Sequence, residues 1–360
     1  MTRRLAPVLL AATLAAPALA ADPQIAVMSL GGAFSQSQVE AYNKPFTAQT
    51  GIKVVMVDSD NPAGPVKTMV EAGNVSIDVA AVDSSDAVRL CDEGDLEPID
   101  LTRLPPAPDG TPAAQDFPPG GLSDCFVATD IYATALAYDA RAFAGDKPAT
   151  VQDFFDLARF PGRRGVLKQP RFTLELALMG DGVAPADVYA TLATPEGVDR
   201  AFAKLDSIRK NIVWWEAGSQ PPQLLADGEV AMTSTYTGRI FTSVIEDAMP
   251  FALIWDGQVQ VMEGWVIPKG APNRDMAMDY IAFSTTTEAQ ARASAQISYG
   301  PARASSWPMV GLYKDGKTPM APWLPTNPAN QTRALAYGTA FWADHDAELT
   351  ERFAAWLAAG

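Results

Sequence analysis

A single histidine, His345, occurs in the 360 residues, so any Ser-His-Asp or Cys-His nucleophile system would have to be built on it. A His-rich metal cluster is excluded, and no metal-ligand spacing or Gly-x-Ser-x-Gly elbow occurs elsewhere. His345 lies between Asp344 and Asp346 in a polar stretch, where a solvated surface role is expected. A secreted hydrolase therefore lacks its catalytic constellation. The remaining chemistry is recognition. Ser84, Ser85 and Asp86 follow a strand pattern and open a helix, where they could meet a polar ligand atom or simply cap the helix. Arg171, in Lys168-Gln169-Pro170-Arg171-Phe172, could grip a carboxylate bidentately or lie on a helix surface. Trp214-Trp215 precede the amide-rich Gln220-Pro221-Pro222-Gln223. Neighbours on a strand point to opposite faces, so at most one ring faces a ligand; Trp215 is the wall candidate and Trp214 the core one.

The first twenty residues read as a cleavable secretory signal. Arg3-Arg4 precede the apolar run Leu5–Leu14, and Ala18-Leu19-Ala20 supplies the small-x-small site, so the folded chain starts near Ala21. The run is about half of the ~20 residues that a spanning helix needs, which weighs against a retained N-terminal membrane helix. No cysteine follows it to carry a lipid, and no later stretch is long and apolar enough to span, so a freely diffusing periplasmic protein is expected. Export also places Cys91 and Cys125 in an oxidising compartment. A disulfide is the expectation, with two buried free thiols as the alternative. Without Arg3 and Arg4 the chain holds 25 basic and 42 acidic residues, a balance of −17. That charge argues against nucleic acid or another polyanion as partner and suits cationic or neutral ligands.

Strand and helix patterns alternate along the chain. Strands are predicted at 24–30, 52–57 and 77–82, with helices after each: one on Val39, Tyr42 and Phe46, then 66–72 and 85–93. Residues 101–121 are Pro- and Gly-rich and read as a surface loop. Strands then fall at 132–138, 166–167, 212–215, 230–236, 251–255 and 262–267, with helices at 151–158, 174–179, 198–210, 222–225, 274–283, 287–295 and 340–357. Such alternation implies mostly parallel sheets covered by helices, and about 340 residues are enough for two lobes.

Motifs distributed over the whole mature chain carry a resemblance. They begin with Gly31-Gly32-Ala33-Phe34, Asn43-Lys44-Pro45-Phe46 with Thr50-Gly51-Ile52, and Tyr138-Asp139. Trp214-Trp215-Glu216-Ala217-Gly218, Leu225-Ala226-Asp227-Gly228-Glu229-Val230-Ala231-Met232 and Gly238-Arg239-Ile240 continue the series. Trp265-Val266-Ile267-Pro268-Lys269-Gly270 with Asn273, Tyr299-Gly300-Pro301, and Leu324-Pro325-Thr326 with Pro328 complete it. The chain resembles the periplasmic solute-binding proteins of ABC importers, specifically the spermidine/putrescine-binding group of the extracellular solute-binding proteins.

The resemblance implies a two-lobed α/β periplasmic-binding-protein fold of type II, each lobe a mostly parallel sheet flanked by helices, with the ligand cleft between them. Its lobes would comprise residues 21–136 plus 262–304 and residues 137–261 plus 305–360, with crossings near Leu136, Val261 and Ala304. It implies a monomeric receptor, without enzymatic activity or cofactor, that closes on a small-molecule solute and presents it to the membrane-bound permease subunits. A polyamine is the default ligand. Glu263 aligns with an acidic residue that meets an amine; Trp265 beside it and the aromatics Tyr236 and Tyr299 complete the expected wall. The chain departs from the group at Leu30, where Trp is common, and at Thr237, where Asn is. It departs again at 168–172, where two acids are replaced by bases. That change favours an amino acid or amine-acid zwitterion as the alternative solute, held by Arg171. An anion or metal complex is a further alternative, supported by Arg171 and Arg239.

Overall fold

The computed structural model describes residues 22–359; the expected signal and its cleavage site lie outside the described residues. The first three strands, β1 (Gln24–Ser29), β2 (Lys53–Asp58) and β3 (Val79–Asp83), are parallel neighbours in the order β2-β1-β3. Their Val, Ile and Ala side chains suit strands covered by helices. After the two-residue β4 (Leu122–Ser123) comes β5 (Phe126–Asp139), and then β6 (Arg164–Leu167), β7 (Ile212–Trp215), β8 (Met232–Tyr236) and β9 (Phe251–Val266). The strand order is β2-β1-β3-β9-β5-β8-β6-β7, with β4, the short β10 (Gly300–Pro301) and β11 (Leu335–Ala336) on the sides of β5 and β9.

Two α/β lobes result, as expected, but the sheet is mixed. β1–β3 form one parallel set and β6–β8 the other, while β5 and β9 run antiparallel to their neighbours and pass from one lobe into the other. The segments expected as separate strands at 251–255 and 262–267 belong to one 16-residue strand. Between Ile254 and Val259, opposite Ala135, the ladder is interrupted; Gly257 there has φ 72°, a conformation glycine adopts without a Cβ clash. The polar Asp256-Gly257-Gln258 hid this continuity from the hydrophobic pattern. We place the passages between lobes where β5 begins to pair with β8, at Thr134, at the facing Val259 of β9, and after Pro301.

Local signals explain most boundaries. Tyr42 and Phe46 are buried, as expected for one helical face, and Gly51 ends that helix with φ 77°. The helix is not uniform: Val39–Asn43 form a π turn between Gly32–Gln38 and Lys44–Thr50. The 101–121 segment is more ordered than a surface loop. It carries a short helix, Ala113–Asp116, and Asp116 is buried 3.0 Å from the fully buried Arg303, which also donates to the Pro105 carbonyl. Cys91 and Cys125 form a disulfide, closing a loop of 34 residues from the end of helix Ser84–Asp92 to the start of β5. No helix among the described residues is long and apolar enough to cross a membrane.

The C-terminal helix Thr339–Ala358 anchors in the second lobe. There Trp342 donates to Glu175 at 2.6 Å and Phe353 meets Trp214 edge-on at 5.9 Å. Its start also touches the first lobe, where Ser84 Oγ lies 2.8 Å from Thr339 Oγ1 and Ser85 Oγ 3.1 Å from the Tyr337 hydroxyl.

Candidate functional site

The parallel strands of both lobes aim their C-terminal ends at one cleft of about 850 Å³. Gly31, Asp58 and Asp83 come from the ends of β1–β3, and Lys168, Gly218 and Arg239 from just beyond β6, β7 and β8. A crevice outside the carboxyl ends of parallel strands is where α/β sheets bind ligands, because strand hydrogen bonding ends there and loops and helix starts take over.

An aromatic wall stands over the crossing strands. Tyr132 of β5 meets Tyr236 edge-on at 5.7 Å and Tyr299 at 5.6 Å, and Phe34 packs on Tyr299 at 5.6 Å. Phe172 closes the second-lobe side, 6.5 Å from both Tyr132 and Tyr236. Its backbone has φ 67°, a conformation a bulky residue adopts only under strain, typically about 1–3 kcal/mol. Beneath the rings lies a row of acids. Asp83 pairs with Glu263 across β3 and β9, and Asp130 pairs with Glu263 across β5 and β9, so the three residues sit side by side. Desolvation and the neighbouring Asp86 push Asp83 up to about 6, although Tyr132 donates to it at 2.9 Å. Burial, then Asp130 and Asp83, hold Glu263 well above the usual carboxylate range. No group of three or more His, Cys, Asp or Glu among the described residues could hold a metal ion.

Arg239 stands on helix Thr237–Ile245, which begins where β8 ends. It makes no ion pair or hydrogen bond with the described residues, and its Nε is shielded from solvent without a partner. The Gly31-Gly32 turn of the first lobe fits closely around it: a Cβ on Gly32 would lie 2.9 Å from Arg239 Nη1, and Gly32 has φ 57°. A guanidinium so placed presents an unused planar fork to a carboxylate.

The expected site residues separate into two groups. Glu263, Tyr236 and Tyr299 line the cleft together. Asp86 and Arg171 line it too, but they hold each other, with Arg171 Nη1 and Nη2 both 3.1 Å from the Asp86 carboxylate and its Nε 2.6 Å from Asp346. Those partners keep Arg171 charged and Asp86 low. The pair links the lobes rather than presenting free donors. Ser84 is outside the lining and bonds to Thr339; the N-cap of its helix is Asp83, with no side-chain cap, so Ser84 and Asp86 do not cap it either.

Neither tryptophan expected in the wall reaches the cleft. Trp265 is fully buried, donating to Ser284 at 2.9 Å and packing on Tyr42 and Tyr280. The reason is strand direction: β9 runs antiparallel to β3, so moving from Glu263 to Trp265 carries the chain about 7 Å away from the cleft end. Trp215 is buried behind Tyr236, edge-on at 5.8 Å, and supports the wall without forming it. His345 is partly exposed on the C-terminal helix, 4.6 Å from the Phe341 ring.

The expected site set lacked Asp83, Asp130, Tyr132, Phe34 and Phe172, and Arg239 entered it only as support for an anion or metal complex. Asp83 stands at a strand end, a position that could have drawn attention to it. Asp130 and Tyr132 gave no such signal, because their place beside Glu263 depends on the register of two distant strands.

The family model for bacterial extracellular solute-binding proteins matches residues 41–322. A gamma-aminobutyric acid-binding protein from Pseudomonas aeruginosa is 43% identical over 344 residues, covering 96% of this chain and 94% of that protein. The PBP MotA from A. tumefaciens B6, solved in complex with glucopine, superposes with a TM-score of 0.83 at 28% identity, covering 92% of this chain and 99% of MotA. The Atu4243-GABA receptor superposes with a TM-score of 0.79 at 29% identity, covering 92% of this chain and 97% of the receptor. The matched span, the two lobes and the interlobe cleft agree, and the chain belongs to the bacterial extracellular solute-binding proteins, the receptors of ABC importers.

Proposed function

We propose that the protein captures a small ω-amino acid, with γ-aminobutyrate (GABA) as the leading solute, and delivers it as a monomer to an inner-membrane permease. The observation that carries this reading is Arg239, a cation in the cleft with no carboxylate of its own among the described residues. A zwitterion supplies the missing carboxylate. Its ammonium end would lie toward Asp83 and Glu263, and its methylenes against Tyr132, Tyr236 and Tyr299, whose faces favour cations and apolar chains. A diamine matches the acids but would set its second ammonium near Arg239. The polyamine expected from the family resemblance thus has weaker support than its amino acid-like alternative. The relative named for GABA binding and the GABA receptor of similar fold favour the same ligand class. Binding between two lobes gives the mechanism: a solute that touches Arg239 on one lobe and Asp83 on the other stabilises the closed form relative to the open one.

Native mass spectrometry of the protein as purified, followed by a thermal-shift panel of GABA, butyrate, putrescine and spermidine, tests the proposal. Stabilisation by GABA alone is expected. Stabilisation by putrescine or spermidine with none by GABA would overturn it.

A further inference from the structure

The row Asp83, Glu263, Asp130 contains one acid that the cleft wall does not use. Asp130 lies behind Glu263, beside a cavity of about 10 Å³ shared with Gln38 and Tyr42, and is buried. Its Oδ2 accepts from Thr129 at 2.9 Å, but its Oδ1 has no partner among the described residues, and neither has Glu263 Oε1. Two buried carboxyls directly opposite on adjacent strands cannot both be ionised without strong repulsion, since no cation pairs with either among the described residues.

We propose that Asp130 and Glu263 share one proton in the empty protein, and that capture of an ammonium group in the cleft expels that proton to solvent. The O–H bond of the shared carboxyl breaks, the proton passes to buffer, and Glu263 is left fully charged opposite the ammonium. Asp130 thereby acts as a positioning residue that sets the charge the cleft presents. The surroundings support this. Burial pushes Asp130 up to about 7, with Thr129 opposing and Asp83 adding to the rise. Arg239 is the cation that draws Glu263 toward ionisation, and Arg171 acts on Asp83, where it opposes Asp86. The hydroxyls of Tyr42, Tyr236 and Tyr299 face the row from the other packed elements and that of Tyr132 from β5 itself, and all four remain protonated because burial and these acids push them up.

The inference rests on the proposed amino-acid reading, and calorimetry with GABA separates the two. Titrations at pH 6.5 in buffers of different ionisation enthalpy should show close to one proton released per GABA bound, and affinity should rise by up to tenfold per pH unit from about pH 5.5 to 7. In Asp130→Asn, Glu263 ionises without its like-charged neighbour. The variant should bind GABA more tightly than wild type at pH 6, with its pH profile moved to lower pH and less proton release. A merely structural role would weaken binding at every pH. Binding heats that do not depend on buffer, or an Asp130→Asn profile with an unmoved midpoint, would overturn the inference alone. Absence of binding at every pH would overturn the GABA reading and this inference with it.

Discussion

Replacing Arg239 by Gln removes the guanidinium while keeping a long polar side chain on helix Thr237–Ile245. In the empty protein Arg239 has no ion pair or hydrogen bond to lose among the described residues, so the fold should be almost unaffected. In the complex the loss is that of a charge-assisted, bidentate contact to a carboxylate. Truncating one partner of such a buried pair costs about 2–5 kcal/mol. Arg239 is half-buried in an open cleft, with the Gly32 backbone against it, which places it in the lower half of that range. The dissociation constant for GABA should therefore rise by roughly 30- to 300-fold, at about 1.4 kcal/mol per tenfold. Isothermal titration measures the affinity and scanning calorimetry the melting temperature. Affinity lost with the melting temperature held within about 2 °C supports the assignment. GABA affinity within threefold of wild type would refute it, and so would an equal loss of affinity for butyrate and for GABA's uncharged amide.

Three further outcomes follow from the same structure. Asp83, up to about 6, and Glu175, up to about 7 through burial against the Trp342 and Tyr189 bonds, hold protons more tightly folded than unfolded. Their stabilising contribution is complete below about pH 4 and is lost as pH rises through 6–7. The empty protein should melt at lower temperature at pH 8 than at pH 5, and Glu175→Gln, worth up to about 3 kcal/mol, should flatten that slope in scanning calorimetry. Arg171→Met removes the bridge from the second lobe to Asp86, so the mean radius of gyration in small-angle scattering should increase and ligand affinity fall by about tenfold. Gly264→Ala places a Cβ 2.3 Å from the Val127 carbonyl oxygen and 2.7 Å from the Ala128 Cα, both backbone atoms of β5. That substitution should destabilise by about 3 kcal/mol or more in urea unfolding, because neither contact can move without breaking the ladder.

Much of the fold could be read from local pattern, and the limits had physical causes. The strands ending at Asp83, Trp215 and Tyr236 announced themselves by apolar stretches followed by turn or helix signals, and Gly51 marked a helix end. The neighbours of those strands could not be read. β9 inserts between β3 and β5, joining residues more than 130 positions apart, and only that insertion puts Asp83 and Asp130 on either side of Glu263. Glu263, Tyr236 and Tyr299 were accessible through family motifs. Trp265 was misplaced because motif adjacency carries no strand direction. Arg171 and Arg239 were named together only as support for an anion or metal complex. Only the structure shows that Asp86 and Asp346 engage the first while nothing among the described residues engages the second.

On the proposed reading, the cleft selects a molecule with a carboxylate at one end and an ammonium at the other. Titrating ligand-free protein with GABA and with putrescine under identical conditions at pH 7.5 tests it most directly, since the two differ by a carboxylate in place of an aminomethyl group. Saturable one-to-one binding of GABA is expected, with affinity for putrescine at least a hundredfold weaker. Putrescine binding as tightly as GABA, or more tightly, would contradict it.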